Sequence, residues 1–117
     1  MAGMKRQGDV ILIPVSQVKL AEIEAAPEDA RGLVLAEGET SGHHHGVVGS
    51  GCKLFRFRDG RSDRLLEVGK TGAEVRVVGG GSGGVDRHTP ISLTRGTYIV
   101  RVQRSWSSAN ASRRVED

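Results

Sequence analysis

Short apolar segments separated by glycine-containing turns restrict the fold of this chain more than any other feature. About seven or eight of them recur at spacings of roughly ten residues, and they include Gln7–Val15, Leu33–Glu37, Cys52–Arg58, Arg64–Val68, Ala73–Val78 and Gly96–Gln103. Apolar and polar residues alternate in most of these segments, which is typical of strands with one buried face. We therefore predict an all-β fold, a single small barrel or sandwich of about seven or eight short strands.

Segment 16–26 is the candidate for a helix. It begins with a potential N-cap serine and contains several good helix formers. Its apolar residues do not form a stripe, because Leu20 and Ile23 lie nearly opposite Val18 on a helix. We expect at most one short helix or an irregular arm, ended by Pro27.

The chain length predicts one β domain over residues 1–117, since 117 residues can bury only one modest core. Aromatic residues make up 3% of the chain, so the core has to be built from Val, Ile and Leu, which favour strands. Two segments are expected to lie outside the core. They are a flexible glycine loop at 79–84 and a polar C-terminal tail at 105–117, the latter either disordered or docked through Trp106.

Cysteine content and hydropathy bear on the location of the protein. Cys52 is the single cysteine, which excludes an internal disulfide. The sequence has no apolar leader and no run of about 18 apolar residues. We expect a cytoplasmic protein that does not associate with membranes, or a virion protein if a phage encodes it.

Charged residues are spread along the chain. The net charge is +3, and acidic residues are interspersed among the arginines. Nucleic-acid binders usually concentrate positive charge and add aromatic side chains on which bases stack. We therefore expect a solvated surface, and a phosphate-facing surface that binds nucleic acid is the less favoured alternative.

The candidate functional segment is Glu39–Gly46, in which His43, His44 and His45 follow one another between glycines. On a strand, His43 and His45 would point to one side, with Cα atoms about 6.5–7 Å apart, and His44 to the other. Two imidazoles at this spacing can bind one divalent metal ion, Zn²⁺ or Fe²⁺, and His88 could complete the site. We therefore predict a metal site formed by His43, His45 and His88.

The same residues have a simpler interpretation. A histidine run beside glycines can be an exposed turn, and His88 can be a surface or capping residue. If the metal site exists, Glu37 and Glu39 are expected to accept hydrogen bonds from the imidazole N–H groups. Cys52 or Glu39 is a less favoured candidate for a fourth ligand.

Several stretches resemble a small uncharacterised family encoded in bacterial and phage genomes. They are Arg6–Val15, Leu35–His45, His88–Leu93, Gly96–Arg104 and Arg113–Val115. The family reads QGDVLLIPV, LAEGExTGHxH, HxPIxLPxGTYxVxxQREY and RRVAD. The resemblance places His43, His45 and His88 on the family's histidine positions and His44 on a variable one, and it implies no activity. This chain departs from the family at Ser105–Trp106, where the family has Glu-Tyr, and in its glycine-rich insertion.

The pair His43 and His45 also resembles the first metal-binding motif of cupins, which are small β-barrels that hold a metal ion inside. The resemblance is partial. Gly49 and Ser50 stand where a cupin glutamate is expected, and the asparagine of the second cupin motif is not matched after His88. It implies a cupin-like or jelly-roll-like fold and leaves a three-histidine site open.

Two classes of function follow. The first is a small metal-binding β-barrel protein, and because no general base is evident, whether it is an enzyme stays open. The second is a phage virion structural or accessory protein of the head-decoration type, acting through protein–protein contacts, with terminal arms that order on a partner. The expected partners are further copies of this chain or phage structural proteins.

Overall fold

Ten β-strands and one turn of 3-10 helix make up the described part of the chain. The computed structural model describes residues 3–38, 42–79 and 89–103. The strands are β1 Lys5–Gln7, β2 Val10–Val15, β3 Ile23–Ala25, β4 Leu33–Glu37, β5 His43–Val48, β6 Lys53–Phe57, β7 Arg64–Val68, β8 Ala73–Gly79, β9 Ile91–Leu93 and β10 Gly96–Val102. The 3-10 turn covers Leu20–Glu22.

The strands form two antiparallel sheets. The first sheet has the order β1-β2-β10-β7-β6-β3, and the second has the order β4-β5-β8-β9. Neither order closes on itself, so the described residues form a sandwich and not a closed barrel. Strand β2 pairs with β10 from Val10 opposite Val102 to Val15 opposite Thr97, which joins the first long strand to the last.

The main hydrophobic core lies between the sheets, and a smaller cluster lies on the outer face of the first sheet. The main core consists of Val10, Leu12, Leu35, Leu66, Val68, Val75, Leu93, Tyr98 and Val100. The smaller cluster consists of Ile23, Phe57 and Leu65, and Val15, Val18, Phe55 and Ile99 pack against it. Leu65 and Leu66 are neighbours on β7 yet belong to different clusters, because successive side chains of a strand point to opposite faces.

A β-bulge in β4 shapes the second sheet beside the histidines. Val34 pairs with Gly46 and Ala36 pairs with His45, so Leu35 is the extra residue of the bulge. Its side chain is fully buried in the main core. The carbonyl oxygen of Val34, next to the bulge, accepts a hydrogen bond of 3.1 Å from Arg64 of β7 and thereby connects the two sheets.

The structure confirms the all-β prediction, and of the two expected architectures it forms the sandwich. The strand number exceeds seven or eight because β1 and β3, with three residues each, were not expected. The 3-10 turn agrees with at most one short helix. Within the described ranges, no helix has the length and hydropathy needed to cross a membrane. The predicted tail at 105–117 lies outside the described residues, as does the predicted glycine loop apart from Gly79.

Candidate functional site

Strand β5 contains three histidines, whose side chains point to opposite faces of the second sheet. It pairs with β8 without a register shift, from His43 opposite Gly79 to Val48 opposite Glu74. Regular pairing preserves the alternation of side chains, so His43 and His45 share one face and His44 takes the other. His45 and His44 are buried, and His43 is half-buried.

A buried glutamine fixes the orientation of His45. The Nε2 of Gln7 donates to the carbonyl oxygens of Val75, at 2.9 Å, and of Thr89, at 3.0 Å. Its Oε1 lies 2.8 Å from the Nδ1 of His45. Because the amide nitrogen faces the two carbonyls, Oε1 is left to accept, and Nδ1 of His45 has to carry a proton. In the neutral imidazole the lone pair is therefore on Nε2.

His43 has one ring nitrogen that is buried without a hydrogen bond. Its Nδ1 is shielded from solvent and has no partner among the described residues. The backbone beside it is tightly packed, since Gly38 N–H donates to the His43 carbonyl oxygen at 2.7 Å. A methyl group on Gly38 would lie 2.8 Å from the Cβ of His43, so glycine is required at position 38.

His44, on the outer face, lies beside a cluster of charged side chains. Glu37 is its partner in the pairing of β4 with β5. Arg31 forms ion pairs of 2.7 Å with Glu37 and 2.9 Å with Asp29. The hydrogen bonds from Arg31 lower the pKa of Asp29 to about 2 and lower the pKa of Glu37 as well. These ion pairs connect β4 to the segment that precedes it.

The structure places two of the three predicted metal ligands on one face of β5 and does not describe the third. His43 and His45 share a face, whereas His88 lies outside the described residues. Among the residues that are described, no group of three His, Cys, Asp or Glu side chains could hold a metal ion. The site of His43, His45 and His88 therefore stays a prediction.

The other predicted site residues take different positions. Glu37 accepts from Arg31, and the described hydrogen-bond partner of His45 is Gln7 rather than a glutamate. Cys52 follows the far end of β5, where its Sγ is 4.0 Å from the carbonyl oxygen of Ser50. Glu39 lies outside the described residues.

Two long-range polar contacts were not predicted from the sequence, that of Gln7 with His45 and that of Arg64 with Val34. Gln7 had a signal, since it is a polar residue three positions before a strand whose first three residues are all buried. Arg64 had none, because an arginine at the start of an alternating segment is ordinarily exposed.

These features define an antiparallel β-sandwich with a buried glutamine–histidine pair between its sheets. A sequence profile described as a domain of unknown function, DUF8820, matches residues 6–103, and the chain belongs to this family. The matched range includes Gln7 and all four histidines. No curated protein and no solved structure matches the chain. The prediction of an uncharacterised family is confirmed.

Proposed function

We propose that this protein binds one divalent transition-metal ion, Zn²⁺ or Fe²⁺, through His43 and His45, with His88 as the third ligand. The hydrogen bond between Gln7 and His45 carries the proposal. Metal-binding histidines usually donate their other ring N–H to a neighbouring acceptor, which fixes the tautomer and the orientation of the ring. Gln7 supplies such an acceptor, so Nε2 of His45 is the nitrogen that would bind the metal.

The buried ring nitrogen of His43 supports the same proposal. A buried polar atom that lacks a partner typically costs about 1–3 kcal/mol. Nδ1 of His43 is such an atom, and it belongs to the side chain that shares a face with His45. A metal ion bound at this nitrogen would compensate the cost, and neutral imidazole can bind a metal through either nitrogen.

The proposal covers binding and assigns no reaction. Three histidines with one open position are typical of zinc sites that bind a water molecule and lower its pKa. Chemistry at such a water also needs a positioned general base. None of the residues proposed here takes that role, so enzymatic activity stays open.

Metal content and metal-dependent stability test the proposal. The full-length protein is purified, stripped with a chelator, and reloaded with Zn²⁺ or, without oxygen, Fe²⁺. We expect about one metal ion per chain by elemental analysis, and a melting temperature that rises with metal concentration because the ion binds the folded state. His43→Ala, His45→Ala and His88→Ala should each remove most of this metal-dependent increase.

His44→Ala is the matched control, since it removes an imidazole from the same strand but from the opposite face. It should keep the metal-dependent increase even if it lowers the melting temperature of the metal-free protein. Metal content at trace level in the wild type would refute the proposal. An equal loss in His44→Ala and His45→Ala would also refute it, because surface chelation by the histidine run would then explain the binding.

The alternative, a virion structural or accessory protein of the head-decoration type, stays a prediction, as do the cytoplasmic location and the cupin-like motif. It predicts stable association with further copies of this chain or with phage structural proteins. Mass spectrometry of purified virions and the oligomeric state in solution would test it. A monomer absent from virions would count against it.

A further inference from the structure

A cavity lies at the open edge of the sandwich formed by β4, where Ala36, one of its lining residues, pairs with His45 of β5. Its volume of about 610 Å³ falls in the range of roughly 300–1,000 Å³ that is usual for small-molecule sites. Its apolar lining comes from β4, β6 and the segment before β4, and includes Leu33, Val34, Ala36 and Leu54. Such a lining suits an apolar ligand group.

Among the described residues that line this cavity, Arg64 is the only cationic one. Its Nη1 donates to the carbonyl oxygen of Val34 at 3.1 Å. A guanidinium group has five N–H donors, and in the described part of the chain no carboxylate forms an ion pair with this one. Burial lowers the pKa of Arg64, with no opposing contribution from an acidic neighbour.

Most exposed arginines differ from Arg64 because they form ion pairs with carboxylates. Six exposed arginines of the described ranges have carboxylate partners, namely Arg31, Arg56, Arg58, Arg61, Arg76 and Arg101. A buried charge without a counter-ion is costly, more so than an exposed one. Three described arginines have no ion pair, and of these Arg6 and Arg95 are exposed whereas Arg64 is half-buried. Among the described arginines, Arg64 therefore gains most from an added anion.

Acidic residues in the cavity lining restrict the charge of that anion. Glu28, Asp29 and Glu37 line the cavity, and only Asp29 and Glu37 share Arg31 as a counter-ion. A phosphate or a dicarboxylate would bring further negative charge beside these carboxylates, which is unfavourable. A single carboxylate matches the planar guanidinium in charge and geometry.

We propose that this cavity binds a small monocarboxylate with an apolar tail, the carboxylate on Arg64 and the tail against Leu33, Ala36 and Leu54. This inference is independent of the metal site, since it uses none of the histidines. It differs from a purely structural role of Arg64, in which the guanidinium only connects the two sheets through Val34.

Titration with hexanoate tests the inference, with ¹⁵N-labelled full-length protein followed by NMR. We expect saturable shifts of the amides around the cavity, and weaker binding of inorganic phosphate and of butyrate, which has a shorter tail. Arg64→Met should weaken hexanoate binding by about tenfold to a hundredfold, as expected for the loss of a charge-assisted pair. Arg101→Met, which alters an exposed arginine paired with Asp63, should bind as the wild type does.

A second variant provides an independent test of the cavity in case Arg64→Met does not fold. Ala36→Met keeps Arg64 and fills part of the cavity, so it should weaken hexanoate binding severalfold while the fold is retained. Shifts that do not saturate in the wild type would overturn the inference. Unchanged affinity in a folded Arg64→Met protein, or in Ala36→Met if Arg64→Met is unfolded, would overturn it equally.

Discussion

One amide group decides which nitrogen of His45 carries a proton. Gln7 is held by two backbone carbonyls, so its oxygen has a single orientation toward the imidazole. An aspartate or glutamate here would have imposed the same tautomer, but with a negative charge buried between the sheets. A neutral acceptor avoids the cost of burying that charge.

Replacement of Gln7 tests this arrangement. Gln7→Leu should lower the free energy of unfolding by about 1–3 kcal/mol, because His45 and two carbonyls lose a buried partner. Imidazole ¹⁵N spectra of the metal-free wild type should show a protonated Nδ1 on His45, and the variant should lose this preference. Gln17→Leu, at an exposed glutamine, should change stability by no more than about 0.5 kcal/mol. Equal effects of the two substitutions would contradict the role of Gln7.

The titration of Asp29 at acidic pH should reveal its ion pair with Arg31. The pKa of Asp29 is lowered from 3.8 to about 2, chiefly by the hydrogen bond from the Arg31 side chain. A lowered pKa in the folded state means that the ion pair stabilises the fold above pH 3.8, and that this contribution is lost as the pH falls toward 2. NMR titration of the carboxyl groups should place the Asp29 midpoint near 2. Arg31→Gln should return it toward 3.8, whereas Arg101→Gln should leave it unchanged.

At the scale of elements, two glycines explain how β8 ends beside the start of β5. Gly79 has a φ of 98°, in the region that favours glycine. A methyl group on it would also overlap the carbonyl oxygen of Gly42. The pairing of His43 with Gly79 therefore depends on the absence of a side chain at position 79.

Two glycine-to-alanine substitutions separate the cost of the positive φ from the cost of the steric overlap with Gly42. Gly60 has a φ of 85°, but a methyl group there would meet no atom within 4 Å. Gly60→Ala should cost about 1–2 kcal/mol, the usual penalty of the left-handed conformation. Gly79→Ala should cost more, because it adds a steric overlap with Gly42. Chemical denaturation measures both, and equal costs would mean that the backbone around Gly42 relaxes freely.

The sequence predicts long elements better than short ones. The alternation in Leu66–Val68 and Ala73–Val77 indicates strands directly, because apolar and polar residues exchange at every position there. Three-residue strands such as Ile23–Ala25 are too short to show a period. Ile23–Ala25 forms because it pairs with Phe57–Phe55 and covers the outer cluster, which is a tertiary effect.

The candidate site likewise has one feature that the sequence predicts and two contacts that it does not. The two-residue period predicts that His43 and His45 share a face, since it is a local property of a strand. The partner of His45 is 38 residues away in sequence, and the acceptor of Arg64 is 30 residues away. No local pattern encodes either contact, so both emerge only when the two sheets pack together.

The described part of the molecule is organised around the pairing of its first long strand, β2, with its last, β10. Strand β10 lies between β2 and β7, and it pairs with both over most of its length. Its residues Tyr98 and Val100 are buried in the main core. Strand β3, by contrast, is an edge strand with three residues and one neighbour. Amides that are paired on both sides and buried open only when the domain unfolds, whereas edge strands can open locally.

The rates of native-state hydrogen exchange should therefore follow the position of each strand in the sheet and not its position in the sequence. Amides of β2 and β10 should exchange slowest, with an opening free energy close to that of global unfolding, although they lie at opposite ends of the domain. Amides of Ile23–Ala25 should exchange faster, since only β6 and the outer cluster hold them. NMR exchange at several denaturant concentrations would measure both. If the Ile23–Ala25 amides outlast those of Tyr98 and Val100, the sheet order that joins the two ends of the domain cannot be the main source of its stability.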